Sequence, residues 1–117
     1  MHRPFSIVNT LDIEKNHAVF LNPRRIELLK LIQKHGSILA ASKALKMSYQ
    51  QAWTVIRDIN STAALPVVSR QRGGAGGGGA EITDYGCRLI ERYDLLRERF
   101  RRYLNDLDDD LQNLCSF

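Results

Sequence analysis

The chain has 117 residues, which is enough for one small domain with a single modest core. Hydrophobic residues make up 44% and charged residues 26%, a balance that is ordinary for a soluble globular protein and excludes wholesale disorder. No apolar run is long enough to span a membrane, and the N-terminus lacks the apolar core of a signal peptide. The composition therefore predicts a cytoplasmic protein with no membrane partner.

The net charge of +4 is unevenly distributed along the chain. Residues 1–80 contain eleven Lys or Arg and four Asp or Glu, which gives +7, whereas residues 81–117 contain six and nine, which gives −3. A basic first part favours an anionic partner for that part of the chain. A solvated basic face on a small domain has the same signature, so the charge alone decides nothing.

Neither the cysteines nor the histidines form a chemical motif. Cys87 and Cys115 are far apart and lack CxxC spacing, so we expect two reduced thiols. His2, His17 and His35 are scattered and lack the spacing of metal ligands. Because there is also no nucleophile–base pairing, the sequence predicts no metal, no cofactor and no enzymatic activity.

The first part of the chain predicts a β-hairpin followed by a helix. Residues 5–21 favour strands, because Phe5, Ile7, Leu11 and Ile13 fall on one parity before the polar turn EKNH. The next segment, NPRRIELLKLIQKHG, starts with a good N-cap and a proline and carries an apolar stripe at helical spacing. We expect a helix there that ends at Gly36.

Two further helices predict a helix-turn-helix. Ser37 is an N-cap for a short helix that ends near Leu45, and Ser48 with Gln51 forms a capping box for the next helix, which runs to about residue 60. Small and apolar residues fall where the two helices must cross closely. Lys46 stands at the turn position where glycine is usual, because the backbone there often has a positive φ.

The second helix of such a motif enters the major groove of DNA with its N-terminal residues toward the base edges. Gln can pair with adenine, and Arg can pair with guanine or hold a phosphate. A polar solvated face on an ordinary three-helix core is the alternative, and Trp53 is assigned to the core. The DNA-binding candidates on or beside this helix are Ser37, Ser48, Tyr49, Gln50, Gln51, Thr54 and Arg57.

Residues 70–80, RQRGGAGGGGA, hold six glycines in seven positions and allow three interpretations. A phosphate loop needs a following Lys-Ser or Lys-Thr, which is absent, and a linker needs a second domain, whereas only 37 residues remain. A hairpin is favoured, because the flanking VVSRQR and AEIT have strand character. Such a wing would approach a phosphate or the minor groove closely, with Arg70, Arg72, Gly76 and Gly77 as its DNA-binding candidates.

A long last helix is predicted from residue 83 or 84 to residue 107 or beyond. Its apolar residues step by four and three, like a heptad seam of about two and a half repeats, and charged residues flank them. The helix is long for so small a domain, which favours a partner helix over packing onto its own domain. We therefore predict a homodimer through Leu89, Tyr93, Leu96, Phe100, Tyr103 and Leu107.

The segments NPRRIELLKLIQKHGSI, MSYQQAWTVIRDIN and GGAGGGGAEITDYGCRLIERYDLL resemble the N-terminal domain of the ModE family. This family comprises bacterial molybdate-responsive transcriptional regulators within the LysR-like winged-helix group, and the likeness covers nearly the whole chain. The resemblance implies a dimer with Ser48, Tyr49, Gln50, Thr54 and the wing at DNA. Lys46 departs from the glycine of the family pattern. The family binds molybdate in a further region, so molybdate sensing is not carried over to these residues.

Together these observations predict a mostly α fold with a small β content. Residues 1–82 are expected to form a winged helix-turn-helix with an N-terminal β-hairpin, and residues 83–117 a C-terminal dimerisation helix. The predicted function is that of a stand-alone prokaryotic transcriptional regulator that binds a palindromic operator in double-stranded DNA. The alternative is a protein-interaction or architectural module that works with a separate sensor protein.

Overall fold

A computed structural model describes residues 4–71 and 79–115. It contains four helices and two antiparallel strand pairs within those ranges, which confirms the predicted fold class. The elements in chain order are β1 (Ile13–Lys15), β2 (Ala18–Leu21), α1 (Pro23–His35), α2 (Ile38–Ala44), α3 (Tyr49–Thr62), β3 (Val68–Gln71), β4 (Gly79–Ile82) and α4 (Asp84–Leu114).

The helix ends lie where the sequence places them, because the capping residues are local signals. Asn22 accepts a hydrogen bond from the Arg25 backbone N–H at 2.8 Å, and Gly36 ends α1 with a φ of 65°. Both halves of the capping box at the start of α3 are formed. Lys46 has a φ of 55°, so a lysine occupies the left-handed turn position at a cost of about 1 kcal/mol relative to glycine.

The N-terminal hairpin is shorter than predicted. Its strands pair only from Ile13 to Leu21, around a turn in which Asn16 and His17 both have positive φ, as a two-residue hairpin turn of type I′ requires. Residues 4–12 are not a strand, although their apolar residues alternate. Alternating apolar residues give a segment one apolar side but not a pairing partner, and among the described residues no strand pairs with this segment.

The N-terminal segment, residues 4–12, instead lies along α4. The Tyr93 hydroxyl donates to the Leu11 carbonyl at 2.8 Å, and the Gln112 amide donates to the Phe5 carbonyl at 2.6 Å. Burial raises the pKa of the Tyr93 hydroxyl, and the positive charge of Arg97 partly offsets this. Tyr93 is therefore a neutral hydrogen-bond donor that ties the start of the chain to the last helix.

One core holds the helices and both hairpins together. It is built from the inner faces of α1, α2 and α3, covered by the strand pairs and the first turns of α4. No helix among the described residues is long and apolar enough to cross a membrane. The buried apolar residues are Leu21, Ile26, Leu28, Leu29, Ile32, Ile38, Ala41, Ala52, Ile56, Ile59, Val67, Val68, Ala80, Ile82, Ile90 and Tyr93.

Candidate nucleic-acid interface

The third helix presents a polar face to solvent. Ala52, Ile56 and Ile59 bury its inner face at helical spacing, so the residues between them must point outward. All of the predicted DNA-binding residues of this helix and its N-cap are exposed. They are Ser48, Tyr49, Gln50, Gln51, Thr54 and Arg57.

The hydrogen bonds divide these exposed residues into two groups. Ser48 and Gln51 bond to each other's backbone N–H groups in the capping box, so their side chains stabilise the start of α3. The Thr54 hydroxyl donates to the Gln50 carbonyl one turn earlier. Gln50 and Arg57 make no side-chain hydrogen bond to the described residues, which leaves their donors available to a ligand. Ser37 is half-buried and caps α2 through the Ala40 N–H.

The electrostatics of α3 suit an anionic partner. Its one acidic residue, Asp58, lies 3.5 Å from the guanidinium of Arg25, which is itself 17% exposed. Arg25 also donates to the carbonyls of Val19 and Phe20, so it is held in place from two sides. The pairing reduces the repulsion that the Asp58 carboxylate would exert on a nearby phosphate.

An open groove of about 540 Å³ lies along one side of α3, and Arg24 lines it together with Gln50 and Thr54. Arg24 is exposed and its guanidinium donates to the Leu45 carbonyl at 3.4 Å, close to the turn between α2 and α3. Arg24 is not among the DNA-binding candidates predicted from the sequence. Its position in the motif PRR was the available signal, but only the packing of α1 beside α3 brings it to this groove.

A second pocket, of about 360 Å³, lies on the wing side of α3. Ser37, Leu39, Tyr49 and Arg70 line it, so the start of α2, the start of α3 and strand β3 meet there. Arg70 thus joins the recognition-helix candidates at one surface. The remaining wing candidates, Arg72, Gly76 and Gly77, lie outside the described residues.

Two sets of hydrogen bonds fix the strands of the wing on the helices. The Asn60 amide, near the end of α3, accepts from the N–H groups of Val67 and Val68 at 2.8 and 3.1 Å and donates to the Val68 carbonyl at 3.0 Å. On the other strand, the Ala80 N–H donates to the Gly36 carbonyl at 3.0 Å. The wing is therefore fixed to α3 by the Asn60 side chain and to the end of α1 by a backbone hydrogen bond.

The predicted dimer seam of α4 is divided in two by burial. Tyr93 is only 1% exposed in the single chain, so a partner helix could bury almost none of its surface. Leu96 and Tyr103 are 47% and 61% exposed, and Leu95 beside them is also exposed. The remaining seam residues, Leu89, Phe100 and Leu107, are half-buried. A partner would therefore contact the part of α4 beyond Tyr93.

The described residues contain no group of three His, Cys, Asp or Glu side chains that could hold a metal ion. No family model matches the chain. Individual proteins do: the transcriptional regulator ModE of Yersinia pestis is 44% identical over 100 residues, which cover 86% of this chain and 38% of that protein. The chain is a homologue of the ModE transcriptional regulators.

Two other ModE proteins support the same relationship. The DNA-binding transcriptional dual regulator ModE of Escherichia coli K12 is 42% identical over 100 residues, again 86% of this chain and 38% of the relative. The molybdenum transport protein ModE of Azotobacter vinelandii is 35% identical over 104 residues, or 89% of this chain and 38% of the relative. The chain thus spans about 38% of the length of these ModE proteins. Their names describe transcription and molybdenum transport and not an enzyme.

Proposed function

We propose that this chain is a DNA-binding transcriptional regulator that acts as a homodimer. The observation that carries the proposal is the exposed polar face of α3, which lies between a groove lined by Arg24 and a pocket lined by Arg70. A helix flanked on both sides by arginine suits the major groove, because phosphates line both edges of that groove. The names of the ModE relatives support the same function.

We propose different DNA contacts for different side chains. Gln50 and Arg57, whose donors are not used within the described chain, contact base edges or phosphates from α3. Arg24 and Arg70 neutralise backbone phosphates on either side of the helix. Ser48 and Gln51 act indirectly, because their capping box fixes the end of α3 that enters the groove.

The homodimer rests on the exposed apolar face of α4. This helix has 31 residues and is therefore about 46 Å long, and Leu96 and Tyr103 on its outer part are largely exposed. Phe5, Ile7 and Val8 of the N-terminal segment are exposed as well. An apolar patch of this kind on a small domain indicates a protein partner.

The order of residues along α4 favours an antiparallel pair. When a second copy of the helix is reversed about a centre between residues 103 and 104, Leu96 lies opposite Leu111 and Phe100 lies opposite Leu107. The same reversal brings the basic run at 97–102 opposite the acidic run at 106–110. A parallel pair would place like charges side by side, which is unfavourable.

The function is tested with the Arg57→Ala variant. The control is Arg92→Ala, which removes one positive charge at an exposed position of α4. We expect Arg57→Ala to weaken binding to labelled duplex DNA roughly 10-fold, because one guanidinium contact to a base or phosphate is lost. Fluorescence anisotropy across a range of salt concentrations measures this. Equal affinities for Arg57→Ala and Arg92→Ala would contradict the assignment of α3 as the recognition helix.

A further inference from the structure

Trp53 of α3 contacts both its own helix and the wing. It is the only tryptophan of the chain and is half-buried on α3. One turn earlier on the same helix, the Tyr49 ring meets it edge to face, with centroids 6.2 Å apart and ring planes at 88°. The Arg70 guanidinium of strand β3 lies over the indole, with its carbon 4.5 Å from the ring centroid.

The contact with the indole restrains a side chain that would otherwise be mobile. Arg70 is exposed, and an exposed arginine loses rotamer freedom when it is ordered on binding. A guanidinium above a tryptophan face gains a cation–π attraction, so part of this ordering is already present before a ligand arrives. Lysine could not replace arginine equally well, because only the planar guanidinium can stack on the ring while its edge N–H groups stay available.

The surroundings of Arg70 indicate which kind of ligand its N–H groups can bind. The Arg70 guanidinium makes no hydrogen bond and no ion pair with the described residues, and Arg70 lines the same pocket as Ser37 and Tyr49. A cation without a carboxylate partner, held beside the first turn of a recognition helix, suits a phosphate group.

We propose that Trp53 is a positioning residue that holds the Arg70 guanidinium ready for a DNA phosphate. This role rests on the proposed function as a DNA-binding protein. Trp53 does not need to touch DNA in this proposal, because it acts through Arg70. It also links the wing to α3, so the arginine of one element is oriented by the aromatic residues of the other.

A tryptophan that only fills the core would affect DNA binding equally whether or not Arg70 is present. A positioning residue would not, and this difference defines the test. Wild type, Trp53→Leu, Arg70→Gln and the double variant are compared for affinity to labelled mixed-sequence duplex DNA over a salt series, with thermal unfolding as a check on the fold.

We expect Arg70→Gln to weaken binding and to lower the slope of log affinity against log salt by about one, since one phosphate contact is lost. Trp53→Leu should weaken binding about three-fold when Arg70 is present and have no effect when residue 70 is glutamine. Equal losses in the two backgrounds would overturn the positioning role. If Trp53→Leu unfolds, Trp53→Phe gives the same comparison with a smaller expected loss.

A measurement without DNA tests the contact itself. Because Trp53 is the only tryptophan, its fluorescence reports this site alone. Arg70→Gln should increase quenching by acrylamide, which is uncharged, whereas the control Arg92→Gln should leave it unchanged. Unchanged quenching in Arg70→Gln would overturn the contact. Failure of the wild type to bind any duplex at low salt would overturn the proposed function and this role with it, whereas additive losses in a binding wild type would overturn only the role.

Discussion

A chain that carries Leu96→Glu together with Tyr103→Glu is expected to be monomeric at concentrations where the wild type is a dimer. The two side chains are 47% and 61% exposed in the single chain. In a symmetric dimer both copies of each side chain would be buried. Replacing them removes that apolar burial and places four carboxylates in the interface. The dimer dissociation constant should therefore rise at least about a hundred-fold. Light scattering after size-exclusion chromatography measures the mass.

The matched control is Leu65→Glu, which changes another exposed leucine outside α4. It should leave the dimer intact, whereas a double variant that still dimerises would refute the outer face of α4 as the interface. The monomer should also lose most of its affinity for a two-half-site operator, because each chain then binds alone.

The proposed antiparallel arrangement can be tested with cysteine cross-linking in the same preparation. In a parallel pair the two Cys115 residues near the ends of α4 would be neighbours and would form a disulfide on mild oxidation. In an antiparallel pair they lie at opposite ends. We therefore expect no Cys115 cross-link in the wild-type dimer, and a rapid one in Tyr103→Cys, whose position is next to the centre of the pair.

The second large effect is expected from Gly86→Ala, which should destabilise the fold by about 3 kcal/mol and lower the melting temperature by roughly 10 °C. A Cβ atom at this position would lie 2.5 Å from the Val67 carbonyl oxygen and 2.8 Å from a methyl carbon of Ile82. The Val67 oxygen is backbone and accepts from the Thr83 N–H, so it cannot move aside freely. The start of α4 would have to shift away from Val67, which precedes β3, and from Ile82 of β4.

Whether Gly86→Ala lowers or raises the stability is informative, because helix propensity alone predicts that it raises it. Alanine is favoured over glycine inside a helix by about 1 kcal/mol, so a Gly86→Ala variant without a clash would be more stable than the wild type. Thermal and urea unfolding distinguish the two outcomes. Glu91→Ala, at an exposed position of the same helix, is the control and should change the unfolding free energy by less than about 0.5 kcal/mol.

Local signals account for what the sequence predicted well. Asn22, Gly36 and the Ser48–Gln51 capping box determine helix ends through contacts within three or four residues, so the boundaries of α1, α2 and the start of α3 follow from the sequence alone. The positive φ of Lys46 follows in the same way from the short turn between two helices.

Contacts between distant residues account for what the sequence did not predict. Three contacts of this kind join different elements. They are the hydrogen bonds of Asn60 to Val67 and Val68, the close approach of Gly86 to Val67, and the Arg70 guanidinium over the Trp53 ring. The apolar seam of α4 shows most clearly what sequence periodicity does not predict. Its heptad spacing is uniform from Leu89 to Leu107, yet Tyr93 is buried in its own domain whereas Leu96 and Tyr103 are exposed, because periodicity does not say which surface a stripe meets.

We propose that the two recognition helices of one dimer bind two half-sites of DNA. Selection of bound sequences from a randomised duplex pool, with the purified wild-type protein at near-physiological salt, tests it most directly. We predict an inverted repeat whose half-site centres lie about 10 base pairs, or a small multiple of that, apart. Recovery of no preferred sequence, with binding that disappears as salt rises, would contradict the claim and favour an architectural or protein-interaction role.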